Sequence, residues 1–272
     1  MATIPSTISV TNQALQSVTE HGWRRGFANL LSNENRQWWG TRKGLIHLLL
    51  WLIILNGLIL LVGLTEGRET NNPAPIYQTL IQVFFQVGAL ATAIGMVTTA
   101  QGAIVREKQL GTAAWVLSKP VSRSAFILAK FVACAIGFVS LATLVPSAIF
   151  YGESLFLAGH APELAVFLAG VGIMVIHTLF YLALTLLLGT LFNTRGPISG
   201  IAMGVLFVGF LPPNLLPQAV MLALPWTLKD SAVGLVLGSA LPAVWIIPVV
   251  ATALWIVLFL GVALWRFGRE EF

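Results

Sequence analysis

The sequence predicts an all-α polytopic membrane protein, on the evidence of its composition, its long apolar runs and the placement of its positive charges. Of its 272 residues, 57% are hydrophobic and 9% are charged, and the mean hydropathy is +0.87. Soluble domains carry roughly 25% charged residues, so most of this surface is not made for water. The net charge of +5 does not indicate nucleic-acid binding, because the basic residues lie at the ends of apolar runs and form no patch.

Six apolar runs predict six transmembrane helices, since a helix needs about 20 apolar residues to cross a bilayer. The runs cover residues 45–64, 80–105, 126–151, 164–192, 198–211 and 244–265. Lys130, near the start of the third run, is the one Asp, Glu, Lys or Arg inside them. We expect its side chain to reach the lipid headgroups by snorkelling. The fifth run is the shortest, which leaves its boundary with the next segment open.

The placement of lysine and arginine predicts that both termini are cytoplasmic. With the N-terminus inside, all but two of the 15 basic residues lie on cytoplasmic segments. The exceptions are Arg68 and Lys229. This bias follows the positive-inside rule and requires an even number of spans. We therefore divide the chain into a cytoplasmic N-terminal segment, 1–44, and a six-span transmembrane domain, 45–272.

Residues 212–242 are too apolar for an ordinary loop, yet prolines break them repeatedly. These are Pro212, Pro213, Pro217, Pro225 and Pro242. Two short helices fit, at about 214–224 and 228–240, and Thr227 with Asp230 resembles a capping box at the second. Each would extend less than about 20 Å, short of the ~30 Å hydrocarbon core. We predict a re-entrant hairpin on the outer side before the last span. The alternative is a seventh span, which would place the C-terminus outside.

An amphipathic helix is predicted before the first run, within residues 1–44. Its apolar residues recur at helical spacing, with arginine and polar residues on the other side: Trp23, Phe27, Leu30 and Leu31. This pattern is typical of a helix lying in the membrane interface, with Trp38 and Trp39 as anchors at headgroup level. Such a helix either positions the bundle and contacts a partner, or is a plain membrane anchor.

The segment 103–124, between the second and third runs, is the one most informative about function. In order, it has charged residues at 106–108, a break at Gly111-Thr112, a short helix at 113–117, and a serine, Ser122 or Ser124, to cap the third run. Trp115 gives the short helix a large apolar side chain. A short helix held between two spans, with an aromatic on its cytoplasmic side, suits docking into a groove of a soluble partner. A connector lying on the headgroups fits the same pattern.

The spacing of residues in this loop resembles that of the type-2 permease family of ATP-binding-cassette (ABC) transporters. The matching positions are Glu107, Gly111-Thr112, Leu117-Ser118, Pro120, Ser122-Arg123 and Lys130. The family also has six spans, an N-terminal interface helix and a re-entrant outer hairpin before the last span, so the resemblance covers nearly the whole chain. In the family, this loop forms a coupling helix that lies in a cleft of the ATPase subunit.

The resemblance implies the permease subunit of an ABC exporter, which forms half of a translocation pathway and couples to a separate ATPase. By similarity, the coupling residues are Glu107, Gly111, Thr112, Trp115, Leu117, Pro120 and Arg123. Two permease copies, or one copy and a homologue, would assemble with two ATPase subunits in a prokaryotic plasma membrane. Trp115 is bulkier than the aliphatic residue expected at its position, which bears on which ATPase the chain accepts.

We predict no enzymatic activity, cofactor or metal in this chain. The sequence contains no G-x-x-x-x-G-K-[ST] phosphate-binding loop, so ATP and Mg²⁺ would be bound by the partner subunit. The histidines show no metal-ligand spacing. The single cysteine, Cys134, excludes a disulfide framework.

Candidate pathway residues are the amides Asn56, Gln82 and Gln86, with Gln78 one turn before Gln82. Amides in lipid need partners, so we expect them to face the bundle, where they either line a pathway at the subunit interface or bond neighbouring helices. His177 and Tyr181 form a similar pair, but no carboxylate lies near them in sequence to complete a proton relay.

Two other classes of function remain open from the sequence. An ion-coupled secondary transporter would show repeated spans and an ionisable residue at the midplane, and neither is visible. A membrane scaffold or sensor would keep the topology without transport.

Overall fold

The computed structural model describes residues 22–69, 73–209, 211, 215–239 and 244–270, and within these ranges it is helical with no strand. The α-helices are α1 (Phe27–Trp39), α2 (Arg42–Trp51), α3 (Gly57–Glu69), α4 (Pro73–Ala100), α5 (Val105–Gln109), α6 (Thr112–Leu117), α7 (Arg123–Val139), α8 (Val145–Ala158), α9 (Leu164–Leu191), α10 (Arg195–Val208), α11 (Gln218–Ala223), α12 (Leu228–Val236) and α13 (Ile246–Gly268).

Within the described residues, 5 helical segments are long and apolar enough to cross a membrane. They are Arg42–Glu66, Pro75–Gln109, Arg123–Ala158, Leu164–Leu191 and Ile246–Gly268. This confirms an all-α multi-pass protein and matches every predicted run except the fifth. That run corresponds to α10, whose 14 residues extend only about 21 Å. The six-span count and the cytoplasmic location of both termini therefore stay predictions.

Helix α9 lies at the centre of the bundle. It has 28 residues and packs against α4, α7, α10, α12 and α13. Its sequence is apolar on every side, which is typical of a helix buried on all faces. By contrast, α13 and the α2–α3 segment expose large aliphatic side chains such as Leu254, Val257 and Ile53. These two segments form the surface suited to lipid.

The first and third long helices each contain one π-helical turn, Leu52–Asn56 and Ser140–Leu144. These turns join α2 to α3 and α7 to α8, each accommodating an extra residue in the helix. The third helix continues beyond its predicted run and includes Glu153. The side-chain amide of Asn56 donates to the Pro146 carbonyl at 3.1 Å and to Glu153 Oε2 at 3.0 Å. The two helices are thus bonded to each other at the level of their π-turns.

Helix α1 confirms that a helix precedes the first span, but its tryptophans have different environments. Trp39 is 54% exposed, whereas Trp38 is 2% exposed. The prediction that Trp38 anchors at headgroup level is wrong, because α1 packs on α7 and directs Trp38 into the bundle beside His47, with ring centroids 5.2 Å apart. The side chain of Trp23 lies outside the described residues. The placement of α1 in the membrane interface stays a prediction.

The stretch between α10 and α13 contains the two predicted short helices, as α11 and α12, joined by the 3-10 turn Pro225–Thr227. The predicted capping box is wrong: Thr227 has helical torsions and its side chain makes no capping bond, because the 3-10 turn has already begun the helical path. With 6 and 9 residues, neither helix crosses a ~30 Å core. This favours a hairpin over a seventh span. Pro212, Pro213 and Pro242 lie outside the described residues.

Two tryptophans fix the segment around the 3-10 turn between α11 and α12 to the bundle. Trp226 donates from Nε1 to the carbonyl of Val205, well inside α10, at 2.8 Å. Trp255 of α13 donates to the carbonyl of Ala223 at 2.8 Å. Helix α12 also packs against α4 and α9. The 3-10 turn and the start of α12 are therefore covered by protein, as a discontinuous helix at membrane depth requires, whereas α11 has no buried residue. Its re-entry into the bilayer stays a prediction.

Candidate functional site

The loop between α4 and α7 is fixed to the bundle at both ends. At its start, the side chains of Ile104 and Val105 are 1% and 0% exposed. At its end, the amide of Ser122 donates to the carbonyl of Arg25 at 3.0 Å. Ser122 also caps α7, because its Oγ accepts from the Ala125 amide at 3.0 Å, which confirms the predicted serine cap. A loop attached in this way is mechanically linked to the helices that flank it.

An ion-paired triad connects the loop to α1 and α7. Lys130 of α7 contacts Glu34 of α1 at 2.7 Å and also pairs with Glu107 of α5. Lys130 is 3% exposed, so the expectation that it snorkels to the headgroups is wrong. The two carboxylates supply the counter-charges without which a buried ammonium is strongly unfavourable. We call Glu34, Glu107 and Lys130 the triad.

A second set of contacts joins the loop to the ends of α9 and α13. Lys108 pairs with Glu270 at 2.7 Å and donates to the carbonyl of Thr190 at 3.1 Å. Arg123 donates to the carbonyls of Gly268 at 2.9 Å and Glu270 at 2.7 Å. Because both residues reach the C-terminal end of α13, a displacement of the loop acts on the last long helix as well as on its neighbours.

The middle of the loop, residues 110–120, is largely exposed, although Val116 packs against the core of the bundle, and we call it the loop tip. Leu110 is 64% exposed and Trp115 is 62% exposed. Lys119 Nζ lies 3.6 Å from the centre of the Trp115 ring, a cation–π contact that holds the indole in place. The loop tip therefore presents a small apolar surface with a basic margin. Its base, residues 104–109, is the part held by the triad and by Lys108.

Some of the predicted coupling residues turn towards the bundle, and others lie on the loop tip. Two are turned towards the bundle: Glu107 and Arg123. Four lie on the loop tip, where the described side chains are exposed or half-buried: Gly111, Thr112, Trp115 and Pro120. Leu117 belongs to α6, but its side chain lies outside the described residues. Their role in coupling stays a prediction.

Two residues of the site were missed from the sequence. Leu110 could have been recognised as an isolated aliphatic residue between the charged segment and Gly111. Glu34 carried no such signal, because its partner Lys130 lies 96 residues further along the chain.

Gly111 is needed for the turn between α5 and α6, because its φ of 68° is in the left-handed region. We expect Gly111→Ala to lower the free energy of unfolding by about 1–2 kcal/mol through backbone strain alone, since no neighbouring atom lies within 4 Å of the added Cβ. Gly200→Ala is the matched control: its Cβ also meets nothing within 4 Å, but it lies within α10, where alanine is favoured. Thermal unfolding of the purified variants measures both. Equal melting temperatures for the two variants would contradict the prediction.

The candidate pathway amides occupy two different environments. Asn56 is 5% exposed and bonds the third helix, as described above. Gln82 and Gln86 are exposed on α4 together with Gln78, so the expectation that they face the bundle does not hold within one chain. The opposite face of α4 carries the large apolar residues of the helix and packs against α8 and α9. An amide stripe on the outside of a membrane helix needs another protein surface or water.

His177 and Tyr181 lie together, with ring centroids 5.1 Å apart, and line a small cavity with Trp226 and Lys229. In the described part of the chain, no carboxylate lines this cavity. No group of three His, Cys, Asp or Glu residues there is arranged to hold a metal ion either. The pair thus lacks the acidic partner that a proton relay requires.

Long apolar helices around a buried central helix indicate a multi-pass α-helical membrane protein. The chain belongs to the ABC-2 family of transporter proteins, whose family model matches residues 9–272. The resemblance found in the loop sequence is thereby confirmed. Membrane subunits of this family generally work with ATPase partners. A comparison with curated proteins gave no match.

Proposed function

We propose that this chain is the permease subunit of an ABC exporter. It would form half of a translocation pathway with a second copy or a homologue, in a prokaryotic plasma membrane with both termini cytoplasmic. Two separate ATPase subunits would bind ATP and Mg²⁺ and hydrolyse the nucleotide. Family membership supports the assignment to transport, and the absence of a phosphate-binding loop motif from the sequence is consistent with a separate ATPase.

The observation that carries the proposal is an exposed apolar loop tip whose base is held to the bundle by ion pairs. Exposed tryptophan is a frequent anchor of protein interfaces when a partner offers it a pocket. Leu110 and Trp115 are both more than half exposed. At the base, Glu107 is ion-paired to Lys130 of α7 and Lys108 to Glu270, just after α13. An exposed tip on a fixed base suits a contact that transmits a movement of the partner subunit to the helices, in addition to binding that subunit.

The same contacts suggest how nucleotide binding would act on the bundle. When the ATPase subunits close on ATP, the loop tip moves with the cleft that holds it. The triad passes this displacement to α1 and α7, and Lys108 and Arg123 pass it to α13. Rigid-body movement of packed helices is a common form of switching. Access to the pathway would change from one side of the bilayer to the other.

Co-purification from the native membrane is the direct test. The tagged full-length chain should bring an ATPase subunit with it in mild detergent, and the complex should hydrolyse ATP. The alternative of a headgroup-lying connector is tested with Trp115→Cys in a Cys134→Ala background, labelled with a fluorophore at the loop tip. Strong quenching by headgroup-bound quenchers, together with failure of any ATPase to co-purify, would overturn the proposal.

The exposed amides of α4 are proposed to face the second permease subunit across the pathway. Gln86→Cys in a Cys134→Ala background should then form a disulfide between two permease subunits on mild oxidation. A homologous partner would need its own introduced cysteine. Leu254→Cys is the matched control, since Leu254 is 64% exposed on the aliphatic surface of α13. We expect a cross-linked dimer on a denaturing gel for the first variant only. Cross-linking of both to the same extent would count against a specific interface.

The two alternative classes differ from the exporter in what they require. A secondary transporter would move substrate in vesicles with an ion gradient and no ATP. A scaffold or sensor would tolerate Glu107→Ala and Gly111→Leu without loss of activity. Transport assays with and without ATP on these variants separate the three.

A further inference from the structure

A polar cavity of about 240 Å³ lies beside the triad, at the cytoplasmic ends of α1, α2, α4, α7 and α10. Its charged lining consists of four basic residues, Lys43, Arg106, Lys130 and Arg195, and two carboxylates, Glu34 and Glu107. Lys43 and Arg195 lie at the beginnings of α2 and α10, Arg106 lies on α5, and Lys130 lies two turns into α7.

The charges in this cavity do not cancel. Lys130 is shared by both carboxylates, so the triad keeps one net negative charge, against the three positive charges of Lys43, Arg106 and Arg195. Among the described residues, neither Arg106 nor Arg195 has an ion-pair partner, and Lys43 Nζ lies over the Trp38 ring at 4.0 Å. Like charges gathered in a partly enclosed space repel one another. An anion bound among them would relieve that repulsion.

The backbone at the end of α4 makes room for one of these cations. A Cβ placed on Gly102 would lie 3.3 Å from the guanidinium of Arg195, so a side chain at this position would push the guanidinium away. The same close approach keeps Arg195, the first residue of α10, on the wall of the cavity. The site is therefore shaped by packing as well as by charge.

We propose that this cavity binds the phosphate group of an anionic phospholipid from the cytoplasmic leaflet. The planar guanidinium matches phosphate oxygens through paired hydrogen bonds, and basic pockets between helices on the cytoplasmic side recognise lipid phosphates. The cavity is smaller than the roughly 300–1,000 Å³ of a typical small-molecule site, which suits a headgroup whose acyl chains stay in the bilayer. The site is independent of the exporter assignment.

Lipid binding to the full-length protein in detergent tests this, with phosphatidylglycerol as the probe, phosphatidylcholine as the zwitterionic comparison and native mass spectrometry as the readout. We expect Arg195→Gln and Arg106→Gln each to weaken phosphatidylglycerol binding about fivefold, the usual effect of one basic residue near anionic lipid. Gly102→Leu should also weaken it, because it displaces Arg195 without changing charge. Arg42→Gln is the matched control: Arg42 is the exposed neighbour of Lys43 and does not line the cavity.

Three results would overturn the proposal. One is wild-type affinity in both arginine variants, provided that their elution profiles show folded protein. Another is an equal loss in Arg42→Gln, which would indicate general surface charge. The third is displacement of the lipid by inorganic phosphate at comparable concentration, which would assign the cavity to a free anion. None of these depends on an ATPase partner, so the exporter proposal is tested separately.

Discussion

Lys130→Met is expected to lower the free energy of unfolding by about 2–3 kcal/mol and the melting temperature by roughly 4–12 °C. The change would leave Glu34 and Glu107 close together without their shared counter-charge. Removing one partner of a buried ion pair costs about 3–5 kcal/mol. We expect less here because the two glutamate side chains are 18% and 25% exposed. Thermal unfolding of the purified protein, followed by tryptophan fluorescence, measures the loss.

A triple variant shows whether the stability lost in Lys130→Met comes from the missing charge or from the missing packing. In Lys130→Met with Glu34→Gln and Glu107→Gln, no charge remains in the triad, and neutral replacement of a whole buried ionic group is often close to neutral for stability. We therefore expect most of the stability to return. Lys119→Met, on the exposed loop tip, should change stability by less than about 0.5 kcal/mol. If the triple variant were as unstable as Lys130→Met alone, the loss would come from packing and not from charge.

Trp115→Ala is expected to reduce the affinity for the ATPase subunit about thirtyfold, which corresponds to the roughly 2 kcal/mol of an interface hot spot. Thermal stability should not change, because Trp115 is 62% exposed and contributes little to the core. ATP hydrolysis stimulated by the permease should fall in proportion to the lost complex. Titration of the purified ATPase against reconstituted permease measures the affinity directly.

Trp265→Ala is a closely matched control for this prediction. Trp265 is 56% exposed near the C-terminal end of α13 and also lies under a cation, with Arg269 Cζ 4.3 Å from its ring centre. It differs from Trp115 in lying outside the loop. Equal losses of ATPase affinity in the two variants would show that exposed aromatics at the membrane surface matter in general, and the loop tip would lose its special role.

The sequence of the loop predicted where this segment lies but not which way its side chains point. Gly111, Thr112 and Trp115 were grouped with Glu107 and Arg123 as one contact surface, whereas the last two turn back towards the bundle. Local spacing specifies a turn, a short helix and a cap. It cannot show that Glu107 will meet a lysine on α7 or that Arg123 will reach the carbonyls that end α13.

The sequence by itself determined that the chain is a helical membrane protein of the ABC-2 family with an interrupted segment before its last helix. Apolar runs of this length can satisfy their backbone in lipid only as helices, and the closely spaced prolines of residues 212–242 interrupt the helical pattern there, so these features follow from local chemistry. The tertiary structure alone decided that Lys130 and Trp38 are buried and that Gln82 and Gln86 are exposed. Each of these depends on which face of a helix meets which neighbour, and that is set by packing between residues distant in sequence.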